Sequence, residues 1–189
     1  MGAALALAAA AAPTRFKEGP PPAHTGGFGE PTCRQCHSDA GLNEPGGRLA
    51  ITGFPPGYQP GRTYELAVSL ERAGMLRAGF QLAARFAAGA GGGAGTQAGA
   101  LAPADGRTAV VFDSGTGISY IEHTLAGTAL APRSGGEGGA ARWTFRWTAP
   151  ADPGGAVVMH LTANAANDDD SPLGDFIYAT AVSVAAGRQ

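Results

Sequence analysis

The segment Arg142-Trp-Thr-Phe-Arg-Trp-Thr148 alternates strictly between aromatic residues and Arg or Thr. In an extended chain Trp143, Phe145 and Trp147 fall on one side, and the polar residues fall on the other. A period of two is typical of a strand with one buried face. The segment therefore predicts a β-strand that supplies both tryptophans to a hydrophobic core.

Seven further segments are predicted to be strands, because each alternates or is bounded by Gly, Pro, Asp or Asn. They are Gly46–Gly53, Arg62–Leu70, Gly79–Phe86, Thr108–Phe112, Gly117–Thr124, Ala156–Ala163 and Asp175–Val184. The 31 glycines and 14 prolines suit short strands joined by turns and disfavour helices. We expect an all-β fold of two packed antiparallel sheets. A net charge of −2, with scattered basic residues, makes nucleic acid an unsuitable partner.

The remaining segments predict how the chain is organised. Residues 1–12 are apolar and small, as in a signal peptide or an apolar leader, which indicates export to the periplasm, the medium or the cell surface. They are too short to span a bilayer, and no other segment is apolar enough to do so. Residues 13–30 predict a flexible Pro/Gly linker, and residues 87–107 predict a low-complexity loop with little fixed structure.

The strongest motif is Cys33-Arg-Gln-Cys-His37 within residues 31–45. This is the C-x-x-C-H pattern in which two thiols bond to the vinyl groups of haem and the following imidazole binds the iron. It predicts one covalently attached haem c per chain, held by Cys33 and Cys36, with His37 as an iron ligand. Three alternatives stay open: a Cys33–Cys36 disulfide, a thioredoxin-like redox pair, and half of a zinc site.

A second iron ligand is needed if the haem is to transfer electrons without binding gases. His123, near the end of a predicted strand, is the provisional choice, although an ordinary hydrogen-bonded role is an equal alternative. If that position were vacant, a peroxidase-like open haem would be the third option. The other side chains considered are His24, His160, Met75 and Met159.

Four aspartates between Asn164 and Asp175 suggest calcium, but they lack the EF-hand spacing, so a solvated turn is the preferred interpretation.

Several motifs, taken in order, resemble the bacterial choice-of-anchor V proteins, whose core is similar to the reelin (Reeler) domain. They are Pro31-Thr-Cys-Arg-Gln-Cys-His37, Tyr58-Gln-Pro-Gly-Arg-Thr-Tyr64, Gly79-Phe-Gln-Leu82, Tyr120-Ile-Glu-His-Thr124, Trp143-Thr-Phe-Arg-Trp-Thr-Ala-Pro150 and Asn164-Ala-Ala-Asn167 with Gly174-Asp175. The resemblance implies an immunoglobulin-like antiparallel β-sandwich of about seven to nine strands over residues 46–186, on an exported or surface protein. It also includes a His-Thr pair at His123.

Two functions follow as hypotheses. The first is an exported monohaem module for electron transfer or redox sensing, with an unknown redox partner. The second is a haem-free extracellular binding or adhesion domain in which Cys33 and Cys36 form a disulfide. Fold resemblance does not decide between them.

Overall fold

The structure is a computed structural model that describes residues 16–89, 91, 93–130 and 139–187. The predicted leader, residues 1–12, lies outside the described residues. The strands are β1 (Gly47–Thr52), β2 (Thr63–Arg72), β3 (Arg77–Phe86), β4 (Ala100–Pro103), β5 (Thr108–Asp113), β6 (Ile118–His123), β7 (Gly139–Thr148), β8 (Val157–Ala166) and β9 (Phe176–Val184). Among the described residues no helix is long and apolar enough to cross a membrane.

The strands form two antiparallel sheets that pack as a β-sandwich, which confirms the predicted fold class. One sheet has the order β1-β2-β7-β4, and the other has the order β5-β6-β3-β8-β9. Every strand pair within them is antiparallel. All eight segments predicted from the sequence lie on observed strands, with ends shifted by a few residues.

The core lies between the sheets, and the alternating aromatic residues of β7 point into it. Trp143, Phe145 and Trp147 are fully buried, as predicted. Phe80 of β3 packs against Trp143 with ring centroids 4.7 Å apart. Each indole N–H donates to a backbone carbonyl, which satisfies the polar atom that burial would otherwise leave unpaired.

Residues 87–107 contain a strand that composition did not predict. β4 pairs with β7 from Ala100 opposite Thr148 to Pro103 opposite Phe145. Ala98 just before it is buried, and its carbonyl accepts the hydrogen bond of the Trp147 indole. The pairing is with a strand some forty residues later, so local periodicity carries no signal for it.

Residues 16–32, which we call the strap, include residues 16–30 of the predicted Pro/Gly linker. They cross the outer face of the five-stranded sheet, from His123 on β6, past Gln81 on β3, to Thr162 on β8. The strap lies there because buried polar side chains of the sheet bond to its backbone. Pro and Gly exclude regular structure but not a fixed extended path.

Candidate functional site

Cys33–His37 follows the strap directly and folds against β8. Cys33–Gln35 form a single 3₁₀ turn, whose first backbone N–H groups are capped by the Thr32 hydroxyl, 3.2 Å from the Arg34 nitrogen. The Cys36 and His37 N–H groups donate to the Cys33 carbonyl at 3.2 and 3.0 Å. The motif is therefore an ordered turn attached to the sandwich.

His37 is held by a buried carboxylate. Its Nδ1 lies 2.7 Å from Oδ2 of Asp175, whose side chain is only 2% exposed, whereas the His37 side chain is 29% exposed. Asp175 also accepts from the Asn164 amide at 3.1 Å and from the Asn167 N–H at 3.1 Å. Metal-binding histidines are usually oriented in this way by a carboxylate on the other ring nitrogen.

The two thiols lie in different surroundings. Cys33 is half-buried, with its sulfur 3.4 Å from the hydroxyl of Thr162, and Cys36 is exposed. Burial raises the pKa of the Cys33 thiol, and the hydrogen bond to Thr162 offsets this only in part. Since the thiolate is the reactive form, Cys36 is the more reactive of the pair.

His123, the provisional second iron ligand, has backbone partners for both ring nitrogens. The Phe80 N–H donates to its Nδ1 at 3.0 Å, and its Nε2 lies 3.2 Å from the Phe16 carbonyl, to which it donates. Burial lowers its pKa, which favours the neutral ring that this pattern requires. Iron ligation would first have to break one of these bonds, so the geometry favours the ordinary structural role.

The other side chains considered as ligands already contact protein groups, and His24 does so within the motif itself. The His24 ring bonds to the backbone carbonyls of Pro21 and Pro22 and to the Gln35 amide. His160 contacts the ring of Phe28 edge-on, at 5.3 Å between centroids. Met75 and Met159 are buried in the core.

The aspartates of the turn before β9 are paired with cations or turn groups. Asp168 pairs with Arg77, Asp170 with Lys17, and Asp175 with His37. Asp169 accepts from the Ser171 N–H at 2.8 Å. Within the part of the chain that the structure describes, no three His, Cys, Asp or Glu side chains converge on a metal-sized site.

Beneath the strap lies a buried polar network that sequence reasoning missed. Arg85 of β3 forms an ion pair with Glu30 of the strap, and both side chains are less than a tenth exposed. The Tyr120 hydroxyl donates to the same carboxylate at 2.6 Å and accepts from Arg85 at 2.7 Å. In the sequence, Arg85 and Gln81 share the face of the predicted strand opposite Phe80 and Leu82, so local periodicity gave no signal that they are buried.

Glu122 lies in the same interface and has no cationic partner among the described residues. Its carboxylate accepts from the Gln81 amide at 2.9 Å, and the residue is 6% exposed. Burial raises its pKa to about 7, against a lowering effect of the Gln81 hydrogen bond. The same Gln81 amide donates to the Pro21 carbonyl at 3.0 Å and accepts from the His24 N–H at 2.8 Å.

Comparison with solved structures found several that are similar to this chain. The chain is similar to the human F-spondin reeler domain, with 18% identity, coverage of 78% of this chain and 94% of that one, and a TM-score of 0.49. It is also similar to a cohesin module of a Clostridium perfringens family 33 glycoside hydrolase, with 15% identity, coverage of 76% and 98%, and a TM-score of 0.48. A third structure is AvmM, which catalyses macrocyclisation in alchivemycin A biosynthesis, with 16% identity, coverage of 78% and 92%, and a TM-score of 0.42.

No protein-family profile and no curated protein matches the chain. The printed roles of the similar structures differ from one another. Function has to be argued from the site.

Proposed function

We propose that this chain is a haem-free binding or adhesion β-sandwich in which a Cys33–Cys36 disulfide closes the turn that ends the strap. The observation that carries this proposal is the covered sheet. A haem on Cys33 would be expected to lie against the face formed by β6, β3 and β8, and the strap occupies that face with buried hydrogen bonds. A haem in place of the strap would cover the Arg85 guanidinium after removing its partner Glu30, which is costly.

The geometry of the turn also suits a disulfide. Positions i and i+3 of a 3₁₀ turn lie one above the other. The Cys36 N–H to Cys33 carbonyl bond of 3.2 Å holds this conformation. Both cysteines are free thiols in the structure, so the Cys33 sulfur would leave Thr162 when it bonds to Cys36. A disulfide would then fix the junction between the strap and the segment that leads to β1, as is common in exported domains.

Covalent haem is the second candidate, and the His37–Asp175 pair is the specific observation that favours it. The carboxylate holds Nδ1, and a metal could take Nε2 in place of the Asn164 amide, which lies 3.5 Å from it. The two cysteines fit covalent haem attachment only partly, because Cys36 is exposed whereas the Cys33 sulfur is bonded to Thr162. If haem is attached, Cys33, Cys36 and His37 would hold it, and it would supply one-electron redox chemistry.

One preparation tests both candidates. The full chain is exported in cells that also express a c-type haem maturation system. Its intact mass is measured by mass spectrometry, and its haem content is measured by a pyridine haemochrome assay. A colourless protein lighter than the reduced chain by two hydrogens, which regains them with a reductant, supports the haem-free proposal. One haem per chain, lost in Cys36→Ser, overturns it in favour of the second candidate.

An Asp175→Asn variant separates the roles of His37. In a haem-loaded protein it should shift the reduction potential, because the carboxylate raises the basicity of a ligating imidazole. In a haem-free protein it should change only stability. The matched control is Asp169→Asn, in the same turn but bonded only to turn groups.

A further inference from the structure

We propose that Glu122 is a pH-sensitive latch: its protonated side chain keeps the strap closed over the five-stranded sheet, and its ionisation releases the first part of the strap, residues 16–24. This goes beyond the proposed function, because it concerns access to a sheet face and holds with or without haem or a disulfide. It rests on the position of Glu122 directly beneath the strap.

The strap covers this carboxyl group, and Glu122 is 6% exposed. A Cβ atom placed on Gly19 would lie 2.1 Å from Oε1 of Glu122, so the strap backbone passes over the carboxyl at contact distance. Gly19 has a φ of +119°, a conformation that a side chain disfavours, and glycine is thus required there on two grounds. The closed strap therefore keeps most of the Glu122 side chain away from solvent.

None of the described residues around Glu122 forms an ion pair with its carboxylate. The charged and titratable groups on the surrounding elements are Lys17, Glu18, His24 and Glu30 on the strap, Arg77 and Arg85 on β3, Asp105 and Arg107 before β5, Asp113 on β5, and Tyr120 and His123 on β6. Arg77 is paired with Asp168. Lys17 is paired with Asp170, and Arg85 with Glu30. Arg107 donates to three backbone carbonyls, and His123 bonds to Phe16 and Phe80. The ionised form therefore has one hydrogen bond, from Gln81, and no counter-ion.

The same Gln81 amide group joins the carboxyl to the strap. It holds the Pro21 carbonyl and the His24 N–H, which are two of the main polar contacts of residues 16–24 with the sheet. Opening this segment hydrates the carboxyl and removes the cost of its charge. Closure should therefore be fully favoured below the ordinary pKa of 4.5, weaken as the pH rises, and level off above about 7.

The expected change in strap closure follows from the difference between the two pKa values of Glu122, 4.5 and about 7. If the pKa returns to 4.5 in the open form, ionisation lowers the closing equilibrium constant by up to about 300-fold. Between pH 5 and pH 8 the expected change is about 70-fold.

The test is amide hydrogen exchange on the full chain between pH 5 and pH 8, with each rate divided by its intrinsic rate. The His24 N–H is the reporter for the strap, and the amides of β2 and β7 report on the core. The ratio of wild-type to Glu122→Gln protection at His24 should fall about 70-fold over this range. Taking this ratio cancels the contribution of His123, which is common to both proteins. Glu18→Gln, which removes an exposed carboxylate from the strap, should behave as wild type.

Three results would overturn the latch. The first is an equal pH response in Glu122→Gln, and the second is an equal loss of protection in the core, which would mean global unfolding. The third needs no variant: the carboxyl carbon of Glu122, followed by NMR in the wild-type chain, titrates near 4.5 rather than near 7. This last measurement decides the question even if Glu122→Gln does not fold.

Discussion

Replacing Glu30 by Gln should detach the strap or destabilise the whole domain, because it leaves the Arg85 guanidinium charged and buried. Glu30 and Arg85 have 9% and 8% of their side-chain surface exposed, and Tyr120 donates to the same carboxylate at 2.6 Å. Removing one member of a buried ion pair costs about 3–5 kcal/mol. We expect at least about 3 kcal/mol for Glu30→Gln, since the new amide keeps the size of the side chain but not its charge.

A second ion pair of the strap serves as the internal control. Lys17 lies 2.9 Å from Asp170, but these side chains are 37% and 43% exposed. Exposed pairs of this kind contribute about 0–1 kcal/mol, so Lys17→Ala should be close to wild type. Each substitution removes one ion pair of the strap, one buried and one exposed, and Glu30→Gln also alters the bonds of Glu30 to Thr25 and Tyr120.

Two assays are needed because the strap can open without the rest of the domain. Urea unfolding followed by tryptophan fluorescence gives the global free energy, since Trp143 and Trp147 are buried in the core. Hydrogen exchange at the His24 N–H gives the free energy of local opening. If Glu30→Gln changes both values by less than about 1 kcal/mol, the buried ion pair does not hold the strap and this reasoning is wrong.

Three further predictions concern other parts of the fold. Gly99→Ala should cost more than about 2 kcal/mol in urea unfolding, because φ is +80° and the new Cβ would lie 2.2 Å from a backbone carbonyl oxygen; Gly106→Ala, which meets nothing within 4 Å, should be nearly neutral. In the reduced chain Cys36 should be alkylated faster than Cys33 in a timed peptide mass analysis, and equal rates would contradict the burial of Cys33. His123→Ala should lower the free energy of unfolding by about 1–3 kcal/mol through loss of its buried backbone bonds, and a haem-loaded sample should keep its spectrum. A changed spectrum would restore His123 as an iron ligand.

Strand positions could be predicted from the sequence because a half-buried strand repeats every two residues. The alternation in Arg142–Thr148 and in Arg62–Leu70 correctly assigned the buried faces of two neighbouring strands, which pair with Leu66 opposite Phe145. The C-x-x-C-H spacing singled out residues that lie in an ordered turn, but neither the turn nor the contact of His37 with Asp175 was predicted from it. Whether that turn carries haem or a disulfide stays a prediction, because either state uses the same residues.

Features that depend on distant partners could not be predicted in this way. β4 is a strand because β7 offers it a free edge and Trp147 needs a carbonyl acceptor. Asp175 looked like part of a solvated acidic turn until the fold placed His37 against it. Local composition cannot predict the β4–β7 pairing or the His37–Asp175 contact, because each partner lies far away in the chain.

The sequence by itself determined the all-β class and the alternation that buries one face of β7, since these depend on residues a few positions apart. The tertiary structure alone decided the course of the strap and the partners of His123 and Glu122. Pro and Gly restrict a chain to extended paths without choosing one. The choice was made by buried polar side chains of another strand, such as Gln81, which satisfy the backbone of the strap once the sheet has formed.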